Sequence, residues 1–217
     1  MTRYIIATAI AAFSYVNCHA QDYNETLKKT FLAFDTTMDY QKKVEASNKL
    51  NLIAKKWNTE WTSHFYNAYA KAQLSYMEKE EAKKDAYVDE AEKELGEAVG
   101  IIGKDNDETY VIAALIANAR MAVKPQARWQ KYGKLFEENL QKAKEVNAEN
   151  PRIYYLAGVS KFFTPKMFGG GKKPAISYFE KAEGFFAKET DADMSKPWWG
   201  KMQNTFFLAE CQKEDKE

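Results

Sequence analysis

Apolar residues recur at intervals of three and four through almost the whole chain, which is the period of an amphipathic α-helix. No segment shows the convincing alternation of apolar and polar residues expected of a half-buried β-strand. Each segment would bury one face, so the predicted fold class is all-α. Five such stripes are predicted to pack in the core in the first place. They are Ala46, Leu50, Ile53 and Trp57; Trp61, Phe65, Ala68 and Ala72; Val88, Ala91, Leu95, Ala98 and Ile102; Trp129, Tyr132, Phe136, Leu140 and Ala143; and Ala175, Phe179, Ala182 and Phe186.

Proline placement divides the chain into about nine helices with short connections. Three prolines are expected in the first turn of a helix, where the missing N–H costs nothing, and two are expected directly after a helix end. No proline interrupts a stripe, and 217 residues suffice for one domain with a substantial core. The first three are Pro151, Pro174 and Pro197, and the other two are Pro125 and Pro165.

Residues 1–20 have the pattern of a secretory signal peptide. An apolar run from Ile5 to Val16 is too short to span a bilayer, and the small residues Cys18 and Ala20 suit a cleavage site. Cleavage would leave residues 21–217 as a single exported, periplasmic domain. In the alternative, Cys18 is lipidated and holds the protein at a membrane, although Asn17 before it is bulkier and more polar than the usual small residue.

The composition excludes several classes of function. Lys and Arg number 32 against 31 Asp and Glu, so there is no basic excess to hold a nucleic-acid backbone. After cleavage Cys211 is the one cysteine and His64 the one histidine left in the sequence. These are too few for the usual zinc sites, and no cofactor or metal is predicted. His64 lies in a helical stripe, where packing is the expected role, so no enzymatic activity is predicted.

Three predicted helices carry an alanine in matching surroundings and are interpreted as the second helices of helical hairpins. These alanines are Ala91, Ala143 and Ala182, at spacings of 52 and 39 residues. The spacings exceed the unit of about 34 residues typical of tetratricopeptide arrays, so the repeats are irregular. The preceding helices are rich in small residues, such as Gly158, which let neighbouring helices approach closely.

In these repeats the chain resembles the tetratricopeptide (TPR)-like helical repeat family, in particular its exported bacterial members. Residues 147–152, Asn-Ala-Glu-Asn-Pro-Arg, look like the turn between two repeats. Residues 164–171, followed by Ala175 and residues 179–182, are similar to a hairpin loop of periplasmic TPR components of TRAP-type transport systems. The resemblance covers residues 87–211 and implies a superhelix of antiparallel helical hairpins.

A triple glycine followed by lysine is the first candidate binding element. Gly169, Gly170, Gly171 and Lys172 precede a predicted helix, as in an anion-binding loop, but the spacing and the Ser or Thr of a Walker loop are missing. One interpretation is a tight connection that needs positive φ. The other is a contact loop for an acidic or phosphorylated partner.

Aromatic residues are the second group of candidates. A superhelix lines its concave side with the first helix of each hairpin, and aromatic rings there suit peptides, sugars or other apolar ligands. Core packing is the competing interpretation for each ring. Trp198 and Trp199 are adjacent on a predicted helix and cannot both face one core, so one of them is expected at the surface. The candidates are Trp61, Tyr69, Tyr110, Tyr154, Trp198 and Trp199.

These observations predict a non-enzymatic module of the bacterial cell envelope that binds or scaffolds another envelope protein or peptide. The alternative is a solute-binding component that holds a small molecule or sugar in an aromatic-lined concave pocket during uptake. A hydrolase that uses His64 is the least favoured hypothesis. Nucleic acid is excluded as a partner, and no transmembrane segment is predicted in the mature chain.

Overall fold

The computed structural model describes residues 22–190, 194 and 196–213, and in this part of the chain the secondary structure is entirely helical. The prediction of an all-α fold with about nine helices is confirmed. The predicted signal peptide and Cys18 lie outside the described residues. The helices are α1 (22–35), α2 (Tyr40–Lys56), α3 (Trp61–Met77), α4 (Glu81–Ile102), α5 (Asp107–Val123), α6 (Pro125–Val146), α7 (Pro151–Phe163), α8 (Lys172–Phe186) and α9 (Lys201–Gln212), with a short 3₁₀ turn at Lys166–Phe168.

Consecutive helices pack as hairpins. The most extensive contacts join α3 to α4, α5 to α6 and α7 to α8, while α9 packs against α8. Ala91, Ala143 and Ala182 are completely buried on the second helices, as the matching surroundings predicted. At Gly158 an added Cβ would lie 2.7 Å from the ring of Phe179, so only glycine allows α7 and α8 to approach this closely.

Polar caps and prolines set the helix boundaries. Asn150 accepts a hydrogen bond from the backbone N–H of Arg152, and Pro151 occupies the first turn of α7, as predicted. Pro125 ends α5 as expected and also begins α6. The prediction for Pro197 is wrong, because α9 begins only at Lys201.

A buried arginine explains why the segment around Pro197 is not helical. Arg152 is 1% exposed and donates to the carbonyl oxygen of Pro197 at 3.0 Å. Its guanidinium also bonds Glu189 at 2.6 Å and Glu108 at 3.1 Å. These contacts hold Glu189 and Pro197, which lie between α8 and α9, against the first turns of α5 and α7.

None of the helices in the described ranges combines the length and the apolar composition needed to cross a lipid bilayer. Most residues of the apolar stripes are instead buried against one another in a shared core that extends from α1 to α9.

Candidate functional site

An apolar groove of about 640 Å³ lies between the first helices of successive hairpins. Its walls come from α3, α5 and α7, with contributions from the first half of α6 and from α9. A cleft of this size falls within the range of about 300 to 1,000 Å³ that is usual for small-molecule sites. The residues that characterise it are Tyr76, Met121, Trp129, Val159, Phe163 and Phe207.

Two large aromatic side chains of the groove are exposed to solvent. Trp129 is 59% exposed and Phe163 is 68% exposed. Large apolar surfaces in a concave site are typical of binding surfaces, because covering them removes apolar area from water.

A cluster of phenylalanine rings fixes the end of the groove formed by α7 and α9. The ring of Phe207 is stacked on that of Phe179, with 5.6 Å between centroids and 9° between planes. Phe163 meets Phe207 edge-on at 5.9 Å and Phe162 edge-on at 5.1 Å. Such offset and edge contacts are favourable, so the exposed ring of Phe163 rests on a preformed platform.

An ion-pair cluster positions the start of α6, where Trp129 lies. Arg128 donates to both carboxylate oxygens of Asp85, at 2.6 and 2.8 Å, and Arg120 donates to the same carboxylate at 3.0 Å. The hydrogen bonds from Arg128 hold the pKa of Asp85 at about 2, below its ordinary value. The cluster therefore ties α6 to α4 and α5 directly beside the exposed indole.

Tyr76 places a hydroxyl in the wall of the groove. It donates a hydrogen bond to Oδ1 of Asn118 at 2.7 Å. The residue is 37% exposed, but the surrounding helices desolvate its hydroxyl, and this burial raises the pKa of Tyr76 above its ordinary value. The phenol is therefore neutral and already hydrogen-bonded at neutral pH.

The groove wall contains neither histidine nor cysteine. Nδ1 of His64 lies 2.7 Å from Oε2 of Glu94, in a pair between α3 and α4. Cys211 is 7% exposed, and burial raises the pKa of its thiol. Within the described ranges, no group of three or more His, Cys, Asp or Glu side chains could hold a metal ion. The groove thus offers aromatic faces and apolar area rather than a set of metal ligands.

The predicted aromatic candidates lie outside this groove. Tyr69, Tyr154 and Trp199 are buried in the core, with exposures of 2%, 7% and 3%. Trp198 is half-buried and its backbone N–H donates to the hydroxyl of Tyr66 at 2.7 Å. The two adjacent indoles therefore differ in exposure, although they lie in the loop before α9 rather than on a helix. Trp61 and Tyr110 are also half-buried.

The predicted glycine loop is the connection between α7 and α8. Gly169 and Gly171 have φ values of 76° and 104°, the left-handed region that favours glycine. At Gly170 an added Cβ would lie 2.1 Å from the carbonyl oxygen of Thr164. Lys172 begins α8 and its Nζ donates to the carbonyl oxygen of Lys213 at 3.1 Å. The geometry therefore has the positive φ that the tight-connection interpretation requires.

The groove residues Tyr76, Phe163 and Phe207 were not predicted, and the assignment of Trp129 to a core stripe is wrong. No residue from 125 to 135 is buried, whereas Phe136, Leu140 and Ala143 of the same stripe are. Arg128 and Gln130 are adjacent to Trp129 in sequence and so lie on other sides of the helix, and residue type therefore gave no indication that Trp129 faces solvent.

The solved structure of the HusA haemophore from Porphyromonas gingivalis is similar to this chain, with a TM-score of 0.74 and 30% sequence identity. The similarity covers 90% of this chain and 96% of that chain. No protein-family model matches the sequence, and no curated protein matches it. The expected resemblance to an all-helical bacterial protein is thus confirmed, and the neighbour is a binding protein rather than an enzyme. At this identity and coverage, the chain belongs to the family of the HusA haemophore.

Proposed function

We propose that this protein is a non-enzymatic carrier that binds haem, or a closely related planar tetrapyrrole, in the apolar groove. The observation that carries the proposal is the groove itself, which has exposed aromatic side chains, in a member of the family of a haemophore. The proposal takes up the solute-binding alternative drawn from the sequence. It moves the site from the aromatic candidates of that analysis to residues of α3, α5, α6 and α7.

The chemistry of the groove suits a flat, conjugated ligand. Haem presents two broad apolar faces, which gain most from contact with aromatic rings and aliphatic side chains. Trp129 and Phe163 supply the exposed aromatic surface, and Val159 supplies aliphatic contact on α7. Covering these side chains with a bound ring removes from water the largest apolar surfaces of the groove.

Contacts to the ring rather than to the iron are expected to supply the affinity. Iron in haem proteins is commonly held by His, Cys, Met or Tyr. The groove wall has no His or Cys, and the Tyr76 phenol is neutral and engaged with Asn118. Tyr155 also lines the groove, but it is 6% exposed and burial raises the pKa of its phenol, so Met121 is the remaining accessible side chain of a common ligand type there. A metal-free porphyrin should therefore bind about as well as haem.

Export and the finer fold resemblance complete the proposal. A carrier of this kind works outside the cytoplasm, which is consistent with a cleavable leader at residues 1–20 and a periplasmic or surface location. The TPR-like arrangement of hairpins, similar to that of TRAP-type components, accounts for a groove lined by successive first helices. Handing the ligand to an envelope protein is the role that remains for the predicted protein partner.

The test is a titration of haem and of iron-free protoporphyrin, followed by the porphyrin absorbance and by tryptophan quenching. Trp129→Ala and Phe163→Ala should each weaken binding about tenfold or more, since burying such a ring is worth roughly 1.5 to 3 kcal/mol. Leu52→Ala on α2, which truncates a side chain that is 63% exposed and distant in sequence from the groove residues, is the matched control.

Affinity unchanged in both aromatic variants would remove the groove from the proposal. If the protein bound haem but not iron-free protoporphyrin, the iron would be held by the protein, and Met121→Leu would then be the next variant. Because Trp129 and Phe163 are mostly exposed, their truncation should leave the helical circular dichroism unchanged.

A further inference from the structure

The connection between α7 and α8 carries two of the most exposed apolar side chains of the described chain. Met167 is 83% exposed and Phe168 is 70% exposed. We call residues 165–171 the loop tip. Side chains of this size are more often buried, so an adjacent exposed pair at the end of a hairpin is a candidate interaction surface.

The backbone of the loop tip is fixed by hydrogen bonds within it and to the end of α7. The N–H of Phe168 donates to the carbonyl oxygen of Pro165 at 2.9 Å, and that of Gly171 donates to Lys161 at 2.8 Å. Gly170 fits against Thr164 where no other residue could. The exposure of Met167 and Phe168 is therefore a consequence of a well-defined turn.

Positive charge is concentrated along the sequence around this tip. From residue 150 to residue 179 the sequence has five cationic side chains and no Asp or Glu, although the whole chain has nearly equal numbers of both signs. One of the five, Arg152, is buried among carboxylates. Of the other four, Lys166 lies within the loop tip, and three lie beside it in sequence, namely Lys161, Lys172 and Lys173.

We propose that the loop tip docks on an anionic lipid membrane, with Met167 and Phe168 inserted at the interface and these lysines against the headgroups. Apolar side chains together with lysines are the combination by which proteins bind the surface of a charged bilayer. A convex tip needs a matching pocket on a protein partner, whereas a bilayer deforms around it, and this favours the lipid surface.

Docking in this way would bring the groove close to the membrane. Phe163 and Pro165 line the groove, and the loop tip begins at Pro165. The proposal does not depend on what the groove binds, because the docking residues Met167 and Phe168 lie outside its wall. The two ideas can therefore fail separately.

The test is sedimentation of the purified protein with vesicles, without any porphyrin present. Vesicles of phosphatidylglycerol and phosphatidylcholine should retain the protein, vesicles of phosphatidylcholine alone should retain much less, and added salt should weaken the binding. All variants share the same N-terminus, so residues 1–21 contribute equally to each measurement.

Two double variants separate the apolar and the charged contributions. Met167→Ser with Phe168→Ser should lower the partition coefficient about tenfold or more. Lys166→Gln with Lys173→Gln should lower it roughly thirtyfold on anionic vesicles only. The matched control is Met38→Ser with Leu52→Ser. Met38 is 86% exposed just before α2, and Leu52 is 63% exposed on α2. This control should bind vesicles like the wild type.

Methionine oxidation gives a readout that needs no variant. Met167 and Met38 are 83% and 86% exposed, so hydrogen peroxide should convert both to sulfoxide at similar rates in solution. Anionic vesicles should protect Met167 and leave Met38 unchanged. Equal oxidation of both with vesicles present, or wild-type retention by the serine variant, would overturn the proposal; so would capture of an acidic protein without any vesicle binding.

Discussion

Replacing Glu108 tests the buried ion cluster through its dependence on pH. The side chain of Glu108 is 12% exposed, and its Oε1 accepts hydrogen bonds from Arg152 at 3.1 Å and from Asn150 at 2.7 Å. Its Oε2 is buried without a hydrogen-bond partner. Burial raises the pKa of Glu108 to about 7, and the charge of Arg152 opposes part of that rise. Glu108→Gln is the perturbation, because glutamine imitates the protonated form.

The sign of the effect follows from proton binding in the two states. The ordinary pKa of Glu108 is 4.5, so between that pH and about 7 the folded protein holds a proton that the unfolded chain has lost. The corresponding contribution to stability is complete below about pH 4.5 and is lost as the pH rises through 7. The size of the shift corresponds to about 3 kcal/mol. The variant should therefore have nearly the same free energy of unfolding as the wild type at pH 5. By pH 8 its free energy of unfolding should exceed that of the wild type by up to about 3 kcal/mol.

The measurement is urea unfolding at pH 5, 6, 7 and 8, followed by far-ultraviolet circular dichroism. Glu149→Gln is the matched control, because the Glu149 side chain is 66% exposed and pairs with Lys188 at the surface. The difference in unfolding free energy between Glu108→Gln and the wild type should grow with pH, while that of the control should not. A difference that is constant from pH 5 to pH 8 would refute the reasoning.

Three further outcomes are expected. Gly158→Ala should cost about 1 to 3 kcal/mol of stability in thermal unfolding, because its Cβ would overlap the ring of Phe179; an unchanged midpoint would contradict the close packing. The lowered pKa of Asp85 means that its contribution to stability is present above its ordinary pKa of 3.8 and is lost as the pH falls through about 2, so Asp85→Asn should flatten the wild-type fall in melting temperature across that window. Cys211 should react slowly with a thiol reagent in native protein and rapidly in urea, since it is buried with a raised pKa; equal rates would show an accessible thiol.

The sequence predicts the hairpins well because their determinants are local. A spacing of three and four between apolar residues indicates which face of a helix is buried, whichever element packs against that face. Ala91, Ala143 and Ala182 lie on such faces and are completely buried. The positive φ values of Gly169 and Gly171 are likewise set within a few residues of chain.

The candidate aromatic residues were harder to place because their exposure depends on segments distant in sequence. Tyr69 packs at 5.8 Å against Phe31 of α1 and at 4.8 Å against Trp199 of the segment before α9. Nothing near Tyr69 in the sequence indicates that both segments cover it. The spacing along α3 indicates that the ring has a preferred face, and the coverage of that face is a property of the whole fold.

The groove follows from a difference in helix length that the sequence contains. α6 has 22 residues and α7 has 13, so they are about 33 Å and 20 Å long. The later part of α6, from Phe136 onward, lies beside α7, and both helices line a shared cleft there. α7 ends before Pro165, which leaves the first half of α6 beyond its reach and Trp129 exposed. The spacing of apolar residues and the residue types do not show that the first half of α6 is left uncovered. The helix lengths, whose limits Pro125 and Pro165 set, do show it.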